Sequence, residues 1–289
     1  MSIAGGLHLA LERGHALDCF AVQIFVKNQR QWVARALGDA EARAFHAARR
    51  ATGIPAVFAH GSYLINLASP APAAWRQAVD AFTDELERAE ALGLRCVAIH
   101  PGSHLGTGAA AGIARVAAAV GESLRRTRGY RVRVALENTA GAGGTLGRTF
   151  GELGAMLDRM ERPRRVGVCL DTCHLFAAGY DIRTAAGYGA AMAECAGAVG
   201  LGRVLAFHLN DARAELGSGL DRHAHIGRGR LGLAPFRLLL DDARFAAVPK
   251  VLETPKEPEP AADRRNLAVL RRLRRVSGRT SRPPGGRAR

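Results

Sequence analysis

Several features are missing from this sequence, and each absence excludes something. No stretch approaches the ~18 consecutive apolar residues that a membrane span requires. The five cysteines among 289 residues, at positions 19, 96, 169, 173 and 195, are too few and too scattered for a disulfide framework. Cys169 and Cys173 have metal-ligand spacing, but they lie at the end of an apolar run and read as buried thiols. A basic-then-apolar leader is missing too, because Glu12 and Arg13 interrupt the first apolar stretch. A cytoplasmic protein is therefore expected. Acidic residues are scarce, 26 against 41 Lys and Arg, which leaves a net charge of +15. That excess has two readings. One is a polyanionic partner whose counterions are released on binding; the other is an Arg-rich composition concentrated partly in a tail.

What is present is one alternating pattern. Short apolar, β-branched runs at 19–25, 56–60, 95–100, 132–137, 166–171, 204–208 and 250–253 read as strands. Ala-, Leu- and Arg-rich helical patterns lie at 7–15, 39–51, 72–92, 110–126, 149–160, 188–199, 234–242 and 261–273. Pro72 suits a first helical turn, where its missing N–H costs nothing. Strands alternating with helices predict an α/β fold with a parallel sheet and crossover helices. An eightfold barrel needs one more strand before Leu7, and the short Gly-rich segment 1–6 does not supply it. We expect that strand to be truncated from the N-terminus, or lost to a misread start. Mapping the N-terminus of the native protein tests this, and a native start at Met1 would refute it. A barrel domain is expected over 1–275 and a disordered basic tail over 276–289, where Ser, Gly, Pro and Arg dominate.

The chemistry shows in how the strands end. His60, His100, Glu137, Asp171, His208 and Glu253 close six of the seven. In a (β/α)8 barrel the C-terminal strand ends converge on one face, where active sites sit. A lone His at a strand end is usually an ordinary hydrogen-bonded polar residue. Six metal-competent groups in one bowl would be costly unless a cation neutralised them. Mixed imidazole and carboxylate donors suit zinc or manganese. His174 follows Asp171 by three residues, and the alternation in Asp221-Arg222-His223 aims two side chains one way. Nine donors suit two or three ions with one carboxylate bridging, an arrangement typical of phosphoester cleavage.

The motifs Lys27-Asn28-Gln29-Arg30-Gln31-Trp32, His60-Gly61-Ser62-Tyr63-Leu64-Ile65-Asn66-Leu67 and His100-Pro101-Gly102-Ser103-His104 occur in order. Leu136-Glu137-Asn138-Thr139-Ala140-Gly141 and Gly167-Val168-Cys169-Leu170-Asp171-Thr172-Cys173-His174 follow. His208-Leu209-Asn210-Asp211, Asp221-Arg222-His223 and Leu252-Glu253-Thr254-Pro255 complete the series. Together they resemble the endonuclease IV family of abasic-site endonucleases, over residues 2–273.

The resemblance implies a TIM barrel carrying three zinc ions, with manganese an option at one position. His60 and His100 would bind the first ion, and Glu137, the catalytic residue, would bridge it to the second. Asp171, His208 and Glu253 would complete the second, while His174, Asp221 and His223 would hold the third. Arg30, Tyr63 and Leu64 match the positions that fill the gap left by a flipped abasic nucleotide, a cheap extrusion because no base must be unstacked. The implied partner is double-stranded DNA with abasic sites or blocked 3′ ends, cut by a monomer in base excision repair. Cleavage would fall 5′ to the lesion and leave a 3′-hydroxyl and a 5′-deoxyribose phosphate. The sequence departs from the family in lacking the first strand, and in Arg228 between Gly227 and Gly229, where relatives carry an acidic residue. His104 is a candidate for supporting the ligands and His225 either supports them or faces solvent, while His8, His15 and His46 fall in helix patterns. Two other classes fit parts of the pattern. A sugar isomerase or epimerase has no use for His174, Asp221 and His223. A non-catalytic damage binder would have lost ligands.

Overall fold

Strands buried on both faces read as unbroken apolar runs, because crossover helices cover one side and the barrel interior the other. Ala56–His60 and Val166–Asp171 are buried at every position. The structure, a computed structural model, describes residues 1–257 and 260–280, with side chains through 274. In chain order it comprises α1 (Leu7–His15), β1 (Ala21–Ile24), α2 (Asp39–Thr52), β2 (Ala56–His60), α3 (Pro72–Ala91) and β3 (Cys96–Ile99). There follow α4 (Ala109–Arg126), β4 (Arg133–Glu137), α5 (Phe150–Arg159), β5 (Val166–Asp171), α6 (Thr172–Ala178) and α7 (Ala185–Ala198). The chain then forms β6 (Val204–His208), β7 (Asp211–Ala212), β8 (His223–Ala224), α8 (Ala234–Asp241), β9 (Lys250–Val251) and α9 (Ala261–Thr280).

Seven parallel strands pair in the order β1-β2-β3-β4-β5-β6-β9. This is the expected TIM barrel, nearly closed. Its seam lies between β1 and β9, where the sequence leaves the eighth strand missing. Cα atoms of β1 and β9 draw within 8 Å of each other without a hydrogen-bonded ladder between them. A cavity of about 670 Å³ runs along the seam past Ser2, Gln23, Tyr63, Glu253 and Lys256. The barrel interior is a thin layer of Phe58, Cys96, Ala98, Ala135, Cys169, Ala206 and Val251. The larger core, including Phe45, Phe82, Phe150, Phe176 and Phe236, lies between strands and helices.

Three features were not expected from sequence. Helix α6 begins directly on the last residue of β5, capped by the Asp171 carboxylate, which accepts from His174 N at 2.8 Å. Strands β7 and β8 form a short antiparallel pair inside the loop after β6. Helix α9 continues to Thr280, so the first residues of the expected tail are helical. The remainder of that tail, 281–289, lies outside the described residues.

Candidate metal centre

Each strand-end residue expected to carry chemistry arrives at one place. Glu137, the last residue of β4, is fully buried beneath the others. Its Oε2 lies 3.0 Å from His60 Nε2 and 3.4 Å from His100 Nε2. Its Oε1 lies 2.9 Å from His208 Nδ1. One carboxylate thus faces two separate groups of nitrogens. His208 Nδ1 also lies 3.2 Å from Glu253 Oε2 and 3.9 Å from Asp171 Oδ2. On the far side, Asp221 places one oxygen 3.2 Å from His174 Nε2 and the other 3.0 Å from His223 Nε2. His223 Nε2 is 3.8 Å from Asp171 Oδ2, which joins this group to the second. Three donor groups emerge: His60, His100 and Glu137; Glu137, Asp171, His208 and Glu253; and Asp171, His174 and His223 with Asp221 alongside.

The imidazoles are aimed by what holds their outer nitrogens. His60 Nδ1 donates to Gly61 O at 2.7 Å, His174 Nδ1 to Asn138 O at 2.8 Å, and His223 Nδ1 to Glu253 O at 3.0 Å. Each is thereby fixed with Nε2 pointing into the cluster. Asn138 and Asn210 hold Asp171. Asn138 Oδ1 accepts from Asp171 N at 2.6 Å, and Asn210 Nδ2 donates to Asp171 Oδ2 at 2.5 Å. Asn210 Oδ1 also accepts from Glu253 N at 2.8 Å, which steadies a residue that lies beyond the end of β9.

Burial opposes charge on Glu137, His174, His208, Asp221, His223 and Glu253, yet their neighbours overcome it. Burial pushes the Glu137 carboxyl upward, but the positive field of His208 and His100 and the close approach of His174 hold it well below its ordinary value. His208 and His174 are raised well above theirs, because neighbouring anionic groups outweigh burial. His223 is raised to about 9, burial being overridden by Asp171 and Asp221. Asp221 and Glu253 are depressed, their own burial being offset chiefly by these imidazoles.

The residues fit metal ions. His174 Nε2 and His223 Nε2 are buried without any hydrogen-bond partner, although Asp221 oxygens sit nearby. A lone pair directed at a cation accounts for such an orphan better than a misaligned hydrogen bond does. The donor separations quoted above bracket the about 3.3 Å edge of a tetrahedron with ligands at 2.0–2.1 Å, the zinc–imidazole distance.

Beside the cluster, loop residues 28–32 and 62–64 are tied together. Ser62 Oγ donates to Gln29 O at 2.7 Å, and Asn28 Oδ1 accepts from Arg30 N at 3.0 Å. Arg30 is exposed, Tyr63 is 63% exposed and Leu64 36%, so all three face outward at the mouth. The Tyr63 ring stands 5.4 Å from that of His60 and 6.2 Å from that of His100. Below this loop Glu85 is buried and accepts from Ser62 N with both oxygens at 3.2 Å, near Lys27. Lys27 Nζ donates to Asp84 at 2.7 Å. Asn66 bridges the loop to the turn after β3, donating to Ser103 O and accepting from Ser103 N. Gly102, at φ 101°, leaves the space that the Asn66 side chain occupies.

His104, expected beside the ligands, and His225, expected either there or facing solvent, both brace the protein elsewhere. His104 Nδ1 accepts from Gly106 N and Gly108 N and braces its own turn. His225 Nδ1 accepts from Asn266 Nδ2 at 3.0 Å and docks the loop onto α9. Cys169 is buried, its thiol pushed by burial up to about 12. Cys173 is likewise a buried thiol, but lies within reach of Asp221 and His223. Arg228 is exposed. Gln23, Asn138, Asn210 and Glu85 were assigned no role from sequence. A polar residue at an inward or strand-end position was the available signal.

Residues 11–273 match a family profile described as a xylose isomerase-like TIM barrel. A protein of Chloroflexus aggregans named as a probable endonuclease 4 is 48% identical over 96% of this chain and 97% of its own length. The chain belongs to the endonuclease IV family. A second relative of the same name, from Oleidesulfovibrio alaskensis, is 50% identical over 94% of this chain and 93% of its own. The crystal structure of endonuclease IV from Thermus thermophilus superposes with a TM-score of 0.84 at 38% identity, covering 96% of this chain and 97% of that one.

Proposed function

We propose that this endonuclease IV family member hydrolyses the phosphodiester 5′ to an abasic site in double-stranded DNA, leaving a 3′-hydroxyl and a 5′-deoxyribose phosphate. Trimming of blocked 3′ ends would use the same centre, and the role would be base excision repair by a monomer in the cytoplasm. The residues that would hold metal are His60, His100 and Glu137, then Glu137, Asp171, His208 and Glu253, then His174, Asp221 and His223. Three zinc ions suit these donors, with manganese an option at one position. Bound ions would lower the pKa of water from ~16 to about 7 and hold both the attacking and leaving oxygens.

The protein's own part is aim and charge. Glu137 holds an oxygen toward each of two nitrogen groups and is the catalytic residue of the proposal. Asp171 orients the turn that presents His174. Tyr63 is a phenol, neutral at physiological pH, so it meets DNA as an uncharged aromatic. Tyr63 and Leu64 would stack against the neighbours of the extruded nucleotide, and Arg30 would contact the backbone. The third donor group separates this reading from a sugar epimerase, whose one or two ions would leave Asp221 and His223 idle.

The observation that carries the proposal is the position of Glu137, fully buried and shared between His60 and His208. The test is cleavage of a duplex with one abasic site by the wild type, the chelated protein and Glu137→Gln. Nicking 5′ to the lesion that chelation and Glu137→Gln both abolish is the expected result. Cleavage that survives chelation would overturn it.

A further inference from the structure

His60, His174 and His223 are aimed by backbone carbonyls, and His208 is not. Its outer nitrogen, Nε2, meets the side chain of Gln23 at 2.7 Å. Gln23 lies on β1, across the seam, in register with Phe58 of the interior layer. The same amide donates through Nε2 to Glu253 Oε1 at 2.6 Å. One side chain therefore touches two neighbouring ligands of one proposed metal position.

The chemistry of these partners fixes every proton. An ionised carboxylate only accepts, so the NH2 of Gln23 must face Glu253. Its carbonyl oxygen then faces His208 and only accepts, so His208 must carry its proton on Nε2. An ion that displaces any second proton therefore meets the lone pair of His208 on Nδ1, the atom that points at Glu137, Glu253 and Asp171. Glu253, with Oε1 held by the amide, presents Oε2 to the same centre. Glu253 lies beyond the last residue of β9, and β9 has no ladder to β1, so no strand pairing restrains its side chain.

We propose that Gln23 is a positioning residue which, from the far side of the seam, sets the tautomer of His208 and the orientation of Glu253 so that both bind the same ion. The inference rests on the metal reading of the cluster given above. An outer hydrogen-bond partner of a metal ligand is typically worth about 10–100-fold in metal affinity.

The test is zinc titration of the chelator-stripped protein against a chromophoric competitor, for wild type, Gln23→Met and Gln23→Glu. Long-range proton–nitrogen NMR spectra of the zinc-loaded imidazoles accompany it. Met keeps the volume of Gln and removes both hydrogen bonds. Gln23→Met should weaken one zinc by roughly 10–100-fold and leave the others unchanged. The hydrogen-bonded Nε2–H resonance of His208 should disappear with it. Gln23→Glu keeps the acceptor for His208 but repels Glu253, so it should restore that resonance without restoring affinity; it also serves if Gln23→Met does not fold. Wild-type zinc affinity and an unchanged His208 resonance in a variant that merely melts lower would overturn the proposal, leaving Gln23 as a prop of the seam. A wild type that takes up no zinc would instead overturn the metal reading itself.

Discussion

Glu137 sits where two sets of nitrogens meet, with no solvent access. Replacing it by Gln keeps shape and one acceptor but removes the charge that both sets require. Cleavage by Glu137→Gln should fall by at least about 10³-fold while affinity for abasic duplex stays within a few-fold, as for loss of a transition-state electrostatic contact. Steady-state kinetics beside a binding titration separates the two. His223 allows a second check at this scale. Its imidazole is held up to about 9 by Asp171 and Asp221, so in the stripped protein at pH 7 it carries a proton that an incoming ion must expel. Zinc uptake at pH 7 should release protons, and affinity should fall as pH drops from about 9. Calorimetry in buffers of different ionisation enthalpy reads this directly. Binding heats independent of buffer would remove His223 from the ligand set.

At the scale of elements, the loop after β2 stands on a buried charge. Burial drives Glu85 up to about 7 against the pull of Lys27. A carboxyl whose folded pKa is raised favours the fold most at low pH, and that contribution disappears as pH rises from its ordinary 4.5 to about 7. Glu85→Gln should therefore gain stability relative to wild type between pH 5 and pH 8, by up to roughly 3 kcal/mol at 1.36 kcal/mol per unit. Denaturant titrations at the two pH values test the sign. Above that support, Tyr63→Ala should weaken abasic-duplex binding by about 1–3 kcal/mol, the value of one stacked base, with zinc content unchanged. Fluorescence anisotropy and metal analysis on the same sample check both halves.

Most elements were legible because their signals were local. The apolar runs ending in His60, Glu137, Asp171 and His208 locate their strands to within a residue, since a parallel strand buried on both faces shows in composition alone. Helix α6 was not, because it starts on Asp171 itself, without the linker that separates the other strands and helices. The pairing of β7 with β8 is only two residues long on each side, too short for periodicity. Gln23 escaped for a different reason: its partners lie 185 and 230 residues away in sequence, and a lone amide within Ala21-Val22-Gln23-Ile24 shows no pattern.

For the whole molecule, the two readings of the net charge of +15 differ in how binding responds to salt. If it serves the DNA, the dissociation constant for abasic duplex should rise by about 10³-fold or more between 50 and 200 mM salt, as for six or more phosphate contacts. A nearly flat salt response would return the charge to mere composition.

The seam carries a consequence for how sequence change can reach the metal centre. A carbonyl that aims an imidazole belongs to the main chain, and no exchange of side chains deletes it. Gly61 O, Asn138 O and Glu253 O are protected in this way. The aim of His208 depends on a side chain that a single codon change can replace. No side-chain substitution therefore removes the outer support of His60, His174 or His223, whereas one at position 23 removes that of His208, and a mutational scan of zinc affinity should register position 23 for that reason alone. Among the outer supports of these imidazoles, exposure to genetic drift is concentrated at one position on the opposite lip of the barrel seam.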